Sequence, residues 1–376
     1  MKVLVLTCST GEGHNSAAFA VLESLRDMGA LCEVMDAFNL GSSKSSAILT
    51  SSFTSIVTRA PTVFGLAYKA GEFYSSTGLP SPIYHANTLY AKNMYEYITE
   101  NEFDTVVCTH LFPMEALTYI KRKYELNAKC YAVLTDYTCI PFLKDTEMDA
   151  YFLPHQALVT ECVECGLDKS KLYVTGMPVA KRFHKRMTRE EARNYLVIPT
   201  ERKMYLIMTG GLGCGNVIDL CKEILESTGD DASIYVLAGR NNDLHEDIQN
   251  QFFGDERIQT VTFTQRVNIY MKAADVLISK PGGISSTEAA VANVPLIHAM
   301  AIPGCESKNA AFFSSMGMSY YAETVKDAAR YADMLTADKT AAERMIFAQI
   351  ENIDPHGAEH IAAFVVGDIN ENNKSE

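Results

Sequence analysis

The stretch LTCSTGEGHNSAAFAVLESL, residues 6–25, reads as the end of a strand, a glycine-rich turn and a helix. The apolar run KVLVLTC leads into it, and LCEVMDAF follows as a second strand with Asp36 near its end. Strand, glycine loop and helix in this order form the start of a Rossmann-like unit, where a helix N-terminus commonly holds a phosphate. Gly11, Gly13 and Ser16 fill the frame of a dinucleotide fingerprint only in part. Glu12 opposes that use, because a carboxylate in the cradle repels a pyrophosphate. His14, at the start of the helix, has another use. The positive end of the helix dipole disfavours imidazolium there, so the ring is expected to stay neutral and to accept a proton, as a general base does. A histidine that merely caps the helix is the plain alternative.

Outward from this stretch, TVVCTHLF and CYAVLTDY are further short β-rich runs separated by helical patterns. Strands alternating with helices predict a parallel, doubly wound α/β sheet. A second cycle opens near residue 203 with MYLIMTG, the loop GLGCGN and the helix VIDLCKEILEST. It continues through SIYVLAGRN, IQTVTF, NIYMKAA, DVLISK, ISSTEAAVAN and VPLIHAM. Two Rossmann-like domains are therefore expected, at 1–176 and 203–352. The charged, strand-poor segment 177–202 lies between them as a linker, and a C-terminal helix at 353–370 is expected to return to the first domain. A length of 376 residues suits two cores better than one.

Composition narrows the partners. A formal charge of −13 argues against a surface made for nucleic acid. Ten cysteines are scattered without paired spacing, as in a reduced, cytoplasmic protein. The CxxC formed by Cys162 and Cys165 lacks a second pair, and His356 and His360 lack a third ligand, so no metal site is expected. The N-terminal apolar run is too short for a signal peptide, and no uninterrupted apolar stretch is long enough to span a bilayer. Residues 40–95 stand apart. They are rich in Ser, Thr, Tyr and Phe, and carry Lys44, Arg59, Lys69 and Lys92 against Glu72 alone, four cations to one anion. Such a region is either a helical excursion packed on the sheet or an interfacial surface whose cations meet lipid phosphates.

The second half offers what the first loop lacks. GGLGCGN, residues 210–216, and SKPGGISSTEAAVANVP, residues 279–295, each place glycines between a strand and a helix without an acid in the loop. Gly211 and Gly213 in one, and Gly282, Gly283, Ser285 and Ser286 in the other, are candidate diphosphate ligands. Glu288, taken as lying in the first turn of the following helix, is a candidate acceptor for a ribose diol. In AIPGCESKNAAFF, Glu306 and Asn309 form an acceptor and donor pair of the kind that binds sugar hydroxyls.

STGEGHNSAA, TDYTCIPFL, DAYFLPHQAL, VTGMPV, GGLGCG, SKPGGISSTEAAVANVPLI and PGCESKN occur in the order found in monogalactosyldiacylglycerol synthases and bacterial processive diacylglycerol glucosyltransferases, which the chain resembles over about residues 1–365. More distantly it resembles the N-acetylglucosaminyltransferase that forms lipid II. The resemblance implies a GT-B fold, two Rossmann-like domains facing across a cleft, with the acceptor on the N-terminal side and a UDP-sugar on the C-terminal side. It implies inverting transfer to a lipid hydroxyl with no metal ion and no cofactor beyond the UDP-sugar substrate. It makes His14 the catalytic base, with Asp136 as a possible orienting partner. Gly11 and Gly13 let the acceptor approach, Phe263 contacts uracil largely through its backbone, Glu288 binds ribose, and Glu306 with Asn309 bind the sugar. It also favours the membrane reading of residues 40–95, hence a cytoplasmic enzyme held peripherally on the inner face of the cell membrane. Where family members commonly carry glutamine, this chain has Cys305. The alternatives are a GT-B UDP-sugar enzyme with a soluble acceptor or epimerase activity, a non-catalytic UDP-sugar sensor and, more remotely, a nicotinamide oxidoreductase.

Overall fold

The computed structural model describes residues 1–8, 11–41, 82–209 and 216–372, so most of the basic, aromatic excursion and the loop holding Gly211 and Gly213 lie outside the described residues. The chain divides into two compact units, Met1–Ala180 with Pro303–Cys305 and Asp354–Glu376, and Lys181–Ile302 with Glu306–Ile353.

The first unit runs β1 (Lys2–Thr7), α1 (Glu12–Asp27), β2 (Leu31–Asp36), α2 (Pro82–Glu100), β3 (Thr105–Cys108), α3 (Leu111–Lys123), β4 (Lys129–Val133), β5 (Ala150–Leu153), α4 (Leu158–Glu164) and β6 (Leu172–Val174). Its sheet is parallel in the order β2-β1-β3-β4-β5-β6. The inner strands β1, β3, β4 and β5 are almost wholly buried, so they read as near-continuous apolar runs rather than as alternation. Val3, Val5, Val107, Tyr131, Val133 and Phe152 pack against Ala18, Val21 and Leu25 of α1. The last helix of the chain, from Gly357 to Asn372, completes this core with Ile361, Ala362 and Val365. Its entry requires glycine, because a Cβ at Gly357 would stand 2.4 Å from the Met177 carbonyl oxygen. Gly176 opposite it has φ +88°, the left-handed region that glycine enters without strain.

The second unit contributes α5 (Arg189–Leu196), β7 (Lys203–Met208), α6 (Val217–Thr228), β8 (Ala232–Gly239), α7 (Asn242–Gln251), β9 (Ile258–Thr262), α8 (Val267–Ala273), β10 (Val276–Ser279), α9 (Gly283–Val291), β11 (Leu296–His298), α10 (Cys305–Ser315), β12 (Tyr320–Tyr321), α11 (Val325–Ala337) and α12 (Lys339–Asn352), with the C-terminal helix of the first unit as α13. Its parallel sheet has the order β12-β11-β10-β7-β8-β9. The segment between the two cycles is structured. Thr188 and Glu191 form a capping box at the start of α5. The buried Arg193 guanidinium donates to the carbonyls of Ala273 and Arg202, both at 2.9 Å, and to Asp275 at 2.6 Å. Asp275 also accepts from the Met204 amide and pairs with Arg189. This network fastens residues 189–204 to the second sheet.

In each sheet one strand has neighbours that leave it in opposite directions, β1 with β3 and β7 with β10. A doubly wound sheet opens a crevice at the carboxyl ends of such a pair. His14 follows β1, and Lys280–Gly283 follows β10.

Candidate active site

At the carboxyl edge of the first sheet, α1 opens with Glu12, Gly13 and His14 after Gly11, whose φ of −178° is ordinary extended backbone. The N-cap residue is Gly11 itself, which has no side chain, and a Cβ there would enter open space. His14 is held from the ends of two other strands. Thr109, just past β3, donates its amide to the Leu6 carbonyl and its hydroxyl to the His14 carbonyl, while its own carbonyl lies 2.9 Å from His14 Nδ1. Thr135, just past β4, places its hydroxyl 3.1 Å from the same nitrogen. A carbonyl can only accept, so Nδ1 carries the proton, and in the neutral ring the lone pair is on Nε2. A neutral histidine with its tautomer set in this way has the form a general base needs.

His110 packs edge-on against His14, with ring centroids 4.5 Å apart, and its Nδ1 accepts from the Phe112 amide at 3.1 Å. Burial, and then the neighbouring His14, push the His110 imidazole well below its ordinary range. The pair is therefore resistant to acquiring a second positive charge. Asp136 is half-buried beside Thr135.

At the second edge, Gly282 caps α9 through its backbone and the helix starts at Gly283. Ser285 Oγ donates to the Gly282 carbonyl at 3.2 Å. Ser286 is buried and its hydroxyl lies 2.8 Å from His298 Nε2, so this side chain is engaged behind the loop. Burial holds the His298 imidazole down at about 3, and Ser319 meets its Nδ1. A neutral imidazole thus fixes the Ser286 rotamer.

Glu288 belongs to the second turn of α9, not the first as expected from the sequence, since Gly283 is the first helical residue. It is 7% exposed, and burial pushes its carboxyl up to about 7 against the opposing charge of Arg182. Glu306 stands in the first turn of α10. One carboxylate oxygen pairs with Lys280, and the other accepts from the Ile302 amide at 2.9 Å. Asn309, with no exposed surface, donates to the Pro281 carbonyl at 3.1 Å and so braces the glycine loop from behind. Phe263, at the end of β9, is half exposed with the Arg240 guanidinium 4.7 Å from its ring centre.

Sequence reasoning thus located both loops but passed over Thr109, Thr135, His110 and Lys280. Lys280 was the most readable of these, as a cation next to the glycine pair in SKPGG. Thr109 and Thr135 carried no local signal, because they reach His14 only through the parallel order of β1, β3 and β4.

Residues 14–179 match the family described as monogalactosyldiacylglycerol (MGDG) synthase, and residues 206–343 match the glycosyltransferase family 28 C-terminal domain. A processive diacylglycerol beta-glucosyltransferase of Bacillus mycoides is 24% identical over 370 residues, covering 98% of this chain and 94% of the relative. Among solved structures, Acinetobacter baumannii MurG has a TM-score of 0.62 at 13% identity, covering 97% of this chain and 99% of that one. The UDP-GlcNAc 2-epimerase from Neisseria meningitidis bound to UDP-GlcNAc has a TM-score of 0.61 at 13% identity, covering 99% of this chain and all of that one. These structural likenesses concern the fold alone. With residues 14–179 similar to the one family and residues 206–343 to the other, the chain is a glycosyltransferase of the GT-B fold.

Proposed function

We propose that the enzyme transfers a hexose from a UDP-sugar to diacylglycerol or a related lipid, with inversion at the anomeric carbon and without a metal ion. The observation that carries this reading is the tautomer of His14, held by Thr109 and Thr135 so that Nε2 is the basic nitrogen. In the proposed step Nε2 takes the proton of the acceptor hydroxyl as its oxygen attacks the anomeric carbon and the bond to UDP breaks. The N-terminal amides of α9 and the ammonium of Lys280 supply the positive field for the departing diphosphate. Glu288 is the proposed ribose acceptor, and Arg240 with Phe263 forms the edge nearest the base.

The lipid acceptor is supported by the match of residues 14–179 and by the relatives' activity on diacylglycerol. No helix among the described residues is long and apolar enough to cross a membrane, so the proposed location is peripheral, on the cytoplasmic face. The test is incubation with a panel of UDP-sugars and diacylglycerol vesicles, followed by mass and anomeric analysis of extracted lipid. A β-linked glycolipid from an α-linked donor, formed in the presence of a chelator, is the expected product. Free UDP or a C2-epimerised sugar without glycolipid would overturn the reading, the second in favour of an epimerase.

A further inference from the structure

The segment KRFHKRMTREEARN, residues 181–194, holds six Lys and Arg against Glu190 and Glu191, in a chain whose formal charge is −13. The proposed reaction makes no use of this excess. In the fold the segment forms one side of an open cavity of about 570 Å³ within the second unit, and the ends of α8 and α9 form the others. These walls are fastened to one another. Arg193 of α5 donates to the Ala273 carbonyl at the end of α8, and Arg189 and Arg193 both pair with Asp275 just beyond it.

The charges around the cavity do not balance. Asp275 is taken up by Arg189 and Arg193, and the Glu191 carboxylate accepts from the Thr188 amide at 2.7 Å and the Thr188 hydroxyl at 3.0 Å. Arg186 and Lys272 also line the cavity, and among the described residues their side chains make no ion pair or hydrogen bond. Lys272 stands in the last turn of α8 and is partly buried, and burial alone pushes its ammonium below the ordinary lysine range. A cation withdrawn from water without a counter-ion is costly until a ligand supplies one. The Arg186 guanidinium is exposed, and its planar fork suits phosphate oxygens. Met187, Met271 and Val291 give the same cavity an apolar side. The plain alternative is that the two cations answer the carbonyl ends of α8 and α9, yet among the described residues neither side chain donates to one.

We propose that this cavity is a binding site for a phosphate ester, with Arg186 and Lys272 as the cations for the phosphate and Met187, Met271 and Val291 against the carbon body. Its volume suits a small molecule or a headgroup. The site is separate from the proposed diphosphate site, because α9 runs from Gly283 to Val291 and its two ends lie about 12 Å apart. A free organic phosphate and a lipid headgroup both carry the required group. Binding here does not depend on the reaction proposed above, so a failed transfer assay leaves it standing.

The experiment titrates the full-length protein with glycerol 3-phosphate by calorimetry. A second arm measures cosedimentation with phosphatidylcholine vesicles, with and without phosphatidylglycerol. Saturable binding is expected in at least one arm, weakened by about tenfold in Lys272→Met and in Arg186→Met and largely kept in Lys272→Arg. Arg186 is exposed, so Arg186→Met carries the test if Lys272→Met does not fold. Lys280→Ala, ahead of the other end of α9, should leave this affinity unchanged. A response to glycerol 3-phosphate identifies a free organic phosphate, and one confined to phosphatidylglycerol vesicles identifies a headgroup. Absence of saturable binding in both arms, Lys272 and Arg186 variants that bind as the parent does, or an affinity lost only in Lys280→Ala would overturn the proposal.

Discussion

The connection from β1 to α1 and the connection from β10 to α9 occupy matching places in two parallel sheets, each at the edge where neighbouring strands diverge. Both helices have glycine as the N-cap residue, which brings no side chain of its own to the first-turn amides. Their charges differ. The first has Glu12 in the opening turn and presents His14, while the second has no acid in its opening turn and Lys280 just ahead of it. On the proposed reading one backbone plan serves two chemistries, because an acid beside a helix N-terminus consumes the field that an exposed diphosphate needs. Proton transfer is assigned to the first connection and anion binding to the second.

His14→Ala is the strongest attempt to break that division. General-base loss costs about 10²–10⁴-fold in turnover, and UDP affinity should be unchanged, since the donor site belongs to the other unit. Calorimetric titration of the variant with UDP checks this, and a large loss of affinity would merge the two roles.

Glu288 sharpens the other side of the comparison. Glu288→Ala should weaken UDP binding by about 5- to 150-fold, the range of a charge-assisted hydrogen bond of about 1–3 kcal/mol. With its carboxyl raised from 4.5 to about 7 by burial, the anionic acceptor forms only as pH rises through that value. UDP affinity should increase from about pH 6 to pH 8 in the parent and stay flat in Glu288→Gln. The ligand-free protein behaves in the opposite sense. A raised carboxyl contributes stability that is present below 4.5 and lost as pH rises through about 7. Thermal melts across that window should fall in the parent and lose this slope in Glu288→Gln.

The smallest effect concerns Thr135. Thr135→Val removes one hydrogen bond to His14 and keeps the shape, so turnover should fall by about tenfold, near 1.4 kcal/mol, without change in UDP affinity. A variant as active as the parent would show that the Thr135 hydroxyl does not position His14.

The comparison also explains what could be read in advance. KVLVLTC followed by STGEGHN, and DVLISK followed by PGG, are strand and loop signals whose physics is local, and both appear where expected. The short strand AYFL, 150–153, merged in the sequence with a polar, proline-containing run and was not read as a strand. The segment 177–202 looked like a linker because it is charged. Its TREE run nevertheless held a capping box, and its Arg193 finds its charge partner 82 residues away. Asn309 and Ser286 read as ligand groups by residue type, and in the fold the Asn309 amide donates to Pro281 and the Ser286 hydroxyl lies on His298, contacts that brace the loop. Contacts between strand ends cannot be seen in one dimension, and those are the contacts that set the His14 tautomer.

The central claim is that His14 activates a lipid hydroxyl, and the most direct test measures UDP release from UDP-sugars with and without diacylglycerol vesicles, in the parent and in His14→Ala. The account predicts release that depends on vesicles in the parent and collapses in the variant, although the variant still binds UDP. Release indifferent to vesicles, or equal in the two proteins, would contradict it.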